Sequence, residues 1–179
     1  MNMHEEEHKL VVDSITEALF QLMEEKPFSE IKITELINKA GIARSTYYRN
    51  FDSKEDIVKL FFKSIFDEFH SIHPVESIEN HYSPEFIKHI LEYLPQYKEK
   101  IKVLNKAGIS SYYLEMLNQY LLKLYIKPGM SADSIFHIYT IAGAEYNLIF
   151  NWYVTEEVDN IEAMRSFVAT RQQLKSLID

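Results

Sequence analysis

The residues best equipped for chemistry lie in one stretch, NKAGIARSTYYRNFDSKEDI, from Asn38 to Ile57. It gathers four cationic side chains (Lys39, Arg44, Arg49, Lys54), three aromatic ones (Tyr47, Tyr48, Phe51) and a single glycine, Gly41. Between Ile37 and Lys54 those four bases face one acid, Asp52, so the segment carries +3 in a chain whose formal net charge is −8. A pI near 5.4 argues against indiscriminate binding to nucleic acid. A local basic patch is nevertheless what phosphates attract. A solvated basic face on an ordinary helical hairpin is the competing reading.

Other spacings carry less. HEEEH, His4 to His8, satisfies the H-E-x-x-H pattern of zinc proteases. It begins three residues from the terminus, with nothing before it to form a substrate cleft, and reads as a solvated helix start. His70, His73, His81 and His89 could form a metal-sensing set. A helical metalloenzyme built on the histidines is the alternative from another functional class, which zinc content would separate. Single histidines on amphipathic helices are more often unligated. The chain has no cysteine, which removes disulfides and thiolate zinc sites and suits a reducing compartment. With neither a glycine-rich phosphate loop nor a Ser, His and Asp set, the sequence implies no catalytic residue, no metal site, no cofactor and no enzyme.

The elements that must position the basic segment are helical. Only 4 Gly and 5 Pro occur in 179 residues, and long segments repeat near 3.6. Leu10, Ile15, Ala18, Leu19, Leu22 and Met23 form a stripe that Lys26-Pro27 ends. Ile33, Leu36, Ile37 and Ala40 give a short second helix, with Gly41 placed to close it at positive φ. A third helix runs from about Ala43 to Phe51. Ser53-Lys54-Glu55-Asp56 reads as a capping box opening a fourth, which carries Ile57, Leu60, Phe61, Ile65 and Phe69. At about 100° per residue, Arg44, Ser45, Tyr48 and Arg49 share an arc of about 140° on the third helix. Ile42, Tyr47 and Phe51 are left to pack inward. Two short helices joined by a glycine turn, the second polar, aromatic and basic, form a helix-turn-helix candidate. Lys54, in the first turn of a helix, opposes the macrodipole unless an anion sits there.

His73-Pro74 and the polar run to Tyr82 break the pattern, and Ser83-Pro84-Glu85 restarts it. Further helices are expected at about 84–94, 96–106, 110–126, 132–155 and 159–177, with turns at Lys127-Pro128-Gly129 and Val158-Asp159-Asn160. The apolar tract from Ile135 to Val154 has Glu145 at its middle, together with His137, Asn147 and Asn151, and reads as a buried helix rather than a membrane span. The charged N-terminus lacks the apolar core of a signal peptide. A cytoplasmic protein with no membrane partner is the expectation.

The run EKPFSEIKITELINKAGIARSTYYRNFDSKEDIVKLF, Glu25 to Phe61, resembles the DNA-binding domain of the TetR family of one-component transcriptional regulators. The likeness rests on Ala40-Gly41, Ile42, Arg44, Thr46, Tyr47-Tyr48, Phe51 and Lys54-Glu55. It implies an all-α fold: an N-terminal three-helix helix-turn-helix domain, residues 1–60, joined through a long helix to a C-terminal effector-binding and dimerisation bundle, residues 61–179. It also implies a homodimer that binds a palindromic double-stranded operator, most simply as a repressor, and responds to a small-molecule effector; an activator or co-regulator is the alternative within the family. Arg44, Ser45 and Tyr48 would reach base edges or adjacent phosphates. Thr46, Asn50 and Lys54 would hold backbone phosphates, and Thr34 would contact a phosphate or base. Ala43 departs from a frequent Ser and Lys32 from a frequent Thr, which weakens the cap of the recognition helix and one phosphate contact.

The segment from Ala142 to Glu157 and the stripe Ile161, Met164, Phe167, Val168, Leu174 and Ile178 resemble the family's last two helices, which form a four-helix interface between subunits. Ala142, Gly143 and Ala144 would permit close helix approach; a purely intramolecular core is the other reading. Twelve tyrosines and eleven phenylalanines point to an aromatic cavity or simply to an aromatic core. Tyr112, Tyr113, His137, Tyr139, Glu145 and Tyr146 are the residues in that bundle that could orient a ligand.

Overall fold

A computed structural model describes residues 3–75, 80, 81, 83–153 and 162, with side chains from Glu6 onward and up to Asn151 and at Glu162. Every element among them is helical. The expected last helix, the turn before it, the stripe from Ile161 to Ile178 and the side chains of His4, Trp152 and Tyr153 lie outside what is described.

Helix α1, Met3–Glu25, buries Ile15, Ala18, Leu19, Leu22 and Met23 as its stripe requires. Leu10 shares the stripe but lies ahead of the buried section and is exposed. After a single 3-10 turn, Phe28–Glu30, comes α2, Ile33–Ala40. Its N-cap is Lys32, which offers no acceptor. Glu35 reaches back instead and takes the Lys32 N–H at 3.0 Å. Gly41 closes α2 at φ 68°, its N–H donating to the Asn38 carbonyl while the Ile42 N–H donates to that of Ile37, each at 3.2 Å. Helix α3, Arg44–Asn50, follows, with no side-chain cap at Ala43.

Helix α4, Lys54–Ile72, opens on the expected box: Asp56 N–H donates to Ser53 Oγ at 3.3 Å, and Ser53 N–H donates to the Asp56 carboxylate at 2.8 Å. It contains no Gly or Pro and is about 28 Å long at 1.5 Å per residue. It buries two faces where the sequence shows one stripe. Phe61 meets Phe20 of α1 edge-on at 4.8 Å, and Phe62 and Phe66 meet Tyr113 at 5.2 and 5.4 Å.

Pro84 begins α5, Pro84–Tyr93, behind a Ser83 cap. Pro95 has no N–H to continue that helix, so a 3-10 turn, Leu94–Tyr97, intervenes before α6, Lys98–Lys106. Helix α7, Ser111–Tyr125, and helix α8, Ala132–Tyr146, form an antiparallel pair. The single helix expected to reach 155 instead widens to π geometry over Asn147–Tyr153. Leu148, Ile149 and Phe150 are all buried there, and three consecutive α-helical positions would fan out over about 200°.

Helix α1 packs on α4 and on α2, α2 on α3, α7 on α4, and α6 touches α1, so the buried core is continuous from Ile15 to Phe150. Nothing lies within 4 Å of where a Cβ on Gly41 would stand, so the cost of replacing it is conformational rather than steric crowding by neighbours. Gly41→Ala should lower unfolding stability by roughly 1–2 kcal/mol, the cost of αL for a residue with a Cβ, read as a lower denaturant midpoint at unchanged slope.

Candidate nucleic-acid interface

Tyr47 is fully buried and Phe51 nearly so, which fixes the rotation of α3. Arg44, Ser45, Tyr48 and Arg49 then fall outside, and Tyr48 keeps 47% of its surface accessible. The Arg44 guanidinium lies 5.5 Å from the Tyr48 ring centroid, a cation–π pair that presents both outward. Burial pushes the Tyr47 phenol up to about 12, and its hydroxyl has no hydrogen-bond partner. It anchors by its ring, not by its polar end.

The four bases of the segment are not equivalent. Lys39 is paired with Glu25 at 2.9 Å. Lys54 donates to the carbonyls of Phe28 and Ile31 and lies 4.5 Å from the Phe28 ring centroid, tying the start of α4 to the turn before α2. Its ammonium has three N–H groups, so one remains for a phosphate. None of the ion pairs among the described residues involves Arg44 or Arg49.

Thr34 is exposed near the start of α2, and Thr46 is half-buried. Asn50 is already engaged, its amide donating to the Thr46 carbonyl at 2.6 Å and its carbonyl oxygen meeting His8 Nδ1 at 2.8 Å. His8 thus borders the interface from α1, together with Glu7 and Val11. Sequence spacing held no signal for this contact between residues 42 apart.

The second site is a hollow with about 60 Å³ of free space between α4, α5, α6, α7 and the junction of α8 with the π turn. Phe62, Phe66 and Phe69 of α4 line it, with His81, Tyr93, Tyr97 and Tyr120. Of the six ligand candidates, Tyr113 and Glu145 line it, the Tyr113 hydroxyl donating to Glu145 Oε1. The others are elsewhere. His137 and Tyr139 are exposed on α8, Tyr112 lies under Lys59, and Tyr146 pairs with Ser110 at 2.9 Å and stacks on Phe150. Phe66 and Phe69 of α4 are wall residues as their position towards the bundle implies. Phe62 of α4 and Phe86 and Tyr93 of α5 were missed, because a core position and a cavity wall share one periodicity.

The histidines do not converge. His73 and His89 stack with centroids 4.0 Å apart, His70 lies against Tyr120, and His81 meets Tyr125 at 2.8 Å. Among the described residues no group of three potential ligands is placed to hold a metal. No helix among them is long and apolar enough to cross a membrane.

Residues 15–60 match the family model described as bacterial regulatory proteins, tetR family. The whole chain is similar in fold to the TetR transcriptional regulator of Streptococcus agalactiae 2603V, at 18% identity, TM-score 0.60, covering 93% of this chain and 96% of that one. It is likewise similar to a putative TetR-family transcriptional regulator of Syntrophomonas wolfei str. Goettingen, at 16% identity, TM-score 0.61, covering 93% and 95%. No curated protein matches the chain. The chain is thus similar to the tetR family over residues 15–60, and its overall fold is similar to that of these two structures.

Burial pushes the Glu145 carboxyl up to about 7 from its ordinary 4.5, the Tyr113 hydrogen bond pulling the other way. The folded-state value lies above the unfolded one, so the cost of ionising Glu145 in the fold is absent below about pH 4.5 and complete above about pH 7. Glu145→Gln keeps an acceptor for Tyr113 and removes that cost. It should raise unfolding stability by on the order of 2–3 kcal/mol at pH 8 and by little at pH 4.5, read from denaturation midpoints at the two pH values.

Proposed function

We propose that the protein is a homodimeric, ligand-responsive repressor of a palindromic operator in the cytoplasm, and that it is not an enzyme. In this reading residues 1–60 bind DNA and residues 61–179 bind the effector and dimerise. The carrying observation is the outward arc of α3: Arg44, Ser45, Tyr48 and Arg49 project from a helix whose opposite side is locked by Tyr47. Arg44, Ser45 and Tyr48 take base edges or adjacent phosphates. Thr46, Thr34 and the remaining N–H of Lys54 take phosphates, and Asn50 joins them by exchanging its His8 contact.

Coupling runs through α4. Its first turn holds Lys54, and from its middle onward it supplies Phe62, Phe66 and Phe69 to the hollow. The hollow is smaller than the ~150 Å³ that admits benzene, so an effector of that size or more must move a wall. Displacing α4 tilts the α3 arc, and paired major-groove half-sites about 34–36 Å apart, or multiples of that, tolerate little tilt.

Two measurements test the reading. Arg44→Ala should cost about 1–3 kcal/mol on the cognate site and relax preference at one position in each half-site of a binding selection; an unchanged preference would make Arg44 a backbone contact only. Dimerisation is assigned to α8 and the segment after it, where Phe136, Tyr139, Thr140 and Gly143 form one stripe and Phe136 is 70% exposed. Nothing lies within 4 Å of where a Gly143 side chain would start, so the fold accepts a larger residue there. Gly143→Leu should therefore yield a folded monomer in sedimentation at micromolar concentration, and a monomeric native protein would exclude the dimer.

A further inference from the structure

Apart from His70, the hydrogen-bonding side chains described on the walls of the hollow turn acceptors to it. Tyr97 donates its proton to Glu68 at 3.0 Å, which leaves Tyr93 as the donor in its 3.3 Å contact with Tyr97. Tyr120 donates to the Phe66 carbonyl and Tyr113 to Glu145. The phenol protons on these walls are thus committed within the protein, and each phenol turns at most a lone pair to the interior.

His81 extends the pattern. Tyr125 donates its one proton to the Val75 carbonyl at 3.2 Å, so the 2.8 Å contact between Tyr125 and His81 is made by the imidazole Nε2–H. Nδ1 is then an unprotonated acceptor. His81 is 7% exposed, Nδ1 has no partner, and burial holds the ring down to about 4, so it stays neutral at physiological pH. An unmet acceptor in a buried site costs about 1–3 kcal/mol, which a donating ligand would recover. Glu145 adds a carboxyl with one oxygen on Tyr113, and among the described residues no Lys or Arg lines the hollow to neutralise it. Half-buried His70 is the lining group whose ring proton is not committed.

We infer that the ligand of this cavity is an amphipathic primary or secondary amine, its ammonium donating to Glu145 and His81 Nδ1 while its apolar body lies among the rings of Phe62, Phe66 and Tyr113. This rests on the effector reading of the cavity. The acceptors demand a donor, the unpaired carboxylate demands positive charge, and the ring faces favour a cation over a neutral group. A carboxylate ligand would meet Glu145 with no base to offset it. A quaternary ammonium would satisfy charge but donate to neither acceptor.

The test is calorimetry on the full-length protein at pH 8 with four probes of one shape: 2-phenylethylamine, its N,N,N-trimethyl derivative, 2-phenylethanol and 3-phenylpropanoate. The amine should bind at least about tenfold more tightly than the alcohol, as a charge-assisted bond against a neutral one implies, with the trimethyl derivative weaker than the amine and the acid weakest. Glu145→Gln, whose fold is checked by its melting curve, should bring amine and alcohol to within about threefold. Equal binding of amine and alcohol, tighter binding of the acid, an amine preference that survives Glu145→Gln, or no binding by any probe would each overturn the assignment. Operator affinity measured with saturating amine separates this from the effector reading. A Glu145-dependent amine that leaves operator affinity unchanged upholds the ligand class and removes the effector role. A neutral or anionic probe that weakens operator binding keeps the role and removes the class, with reciprocal weakening required by linkage.

Discussion

Two adjacent apolar faces on one uninterrupted helix govern this molecule. Helix α4 turns Phe61 to α1 and Phe62 and Phe66 to α7, and each fully buried aromatic contributes about 1.5–3 kcal/mol. Neither neighbour can move without disturbing a surface that also belongs to the other. The Ser53 box and the Lys54 bonds to Phe28 and Ile31 fix the front of the helix to the α1–α3 unit. Ion pairs reinforce the joint at its rim, Lys59 with Glu115 at 3.7 Å and Lys100 with Glu17 at 3.2 Å, the latter holding Glu17 below its usual carboxylate range. Both pairs are partly solvent-exposed and add little on their own; the aromatic contacts decide the geometry.

Charge is arranged by location rather than total. The chain is acidic at −8, so most of its surface repels a polyanion. Within the basic segment two lysines are turned to internal partners, and the two arginines of α3 are left outward. A net positive count over a segment therefore overstates the charge it can offer, and the two arginines of α3 carry what is turned outward.

What the sequence made legible was local. Gly41 ends α2, Ser53 opens α4, and the 100° rotation separates Tyr47 from Arg44, because each depends on residues within a turn or two. Contacts between helices were not legible. The second buried face of α4, through Val58 and Phe62, was hidden because each follows by one position a residue of the expected stripe, Ile57 and Phe61, and periodicity singles out one face only. The Lys54 carbonyl bonds and the His8–Asn50 pair join residues 23 to 42 apart, which periodicity does not encode. In the bundle, Tyr113 and Glu145 were singled out with four residues that the structure places off the hollow, since an aromatic in a helix bundle reads the same whether it fills a core or lines a space. The π turn after Tyr146 moved later side chains off the α-helical register used to anticipate them.

The short α3 has no side-chain cap and only seven residues, so its presence rests on Tyr47 and Phe51 being buried beneath it. The residues that hold the helix and those it exposes are thereby different residues of one helix. Arg44 and Ser45 are exposed, so substitutions there stay clear of the stability threshold that limits core change, whereas Tyr48 also leans edge-on against the Tyr47 ring at 5.1 Å. The exposed arc can then drift in sequence while the Tyr47 ring beneath it is held in place by selection for folding.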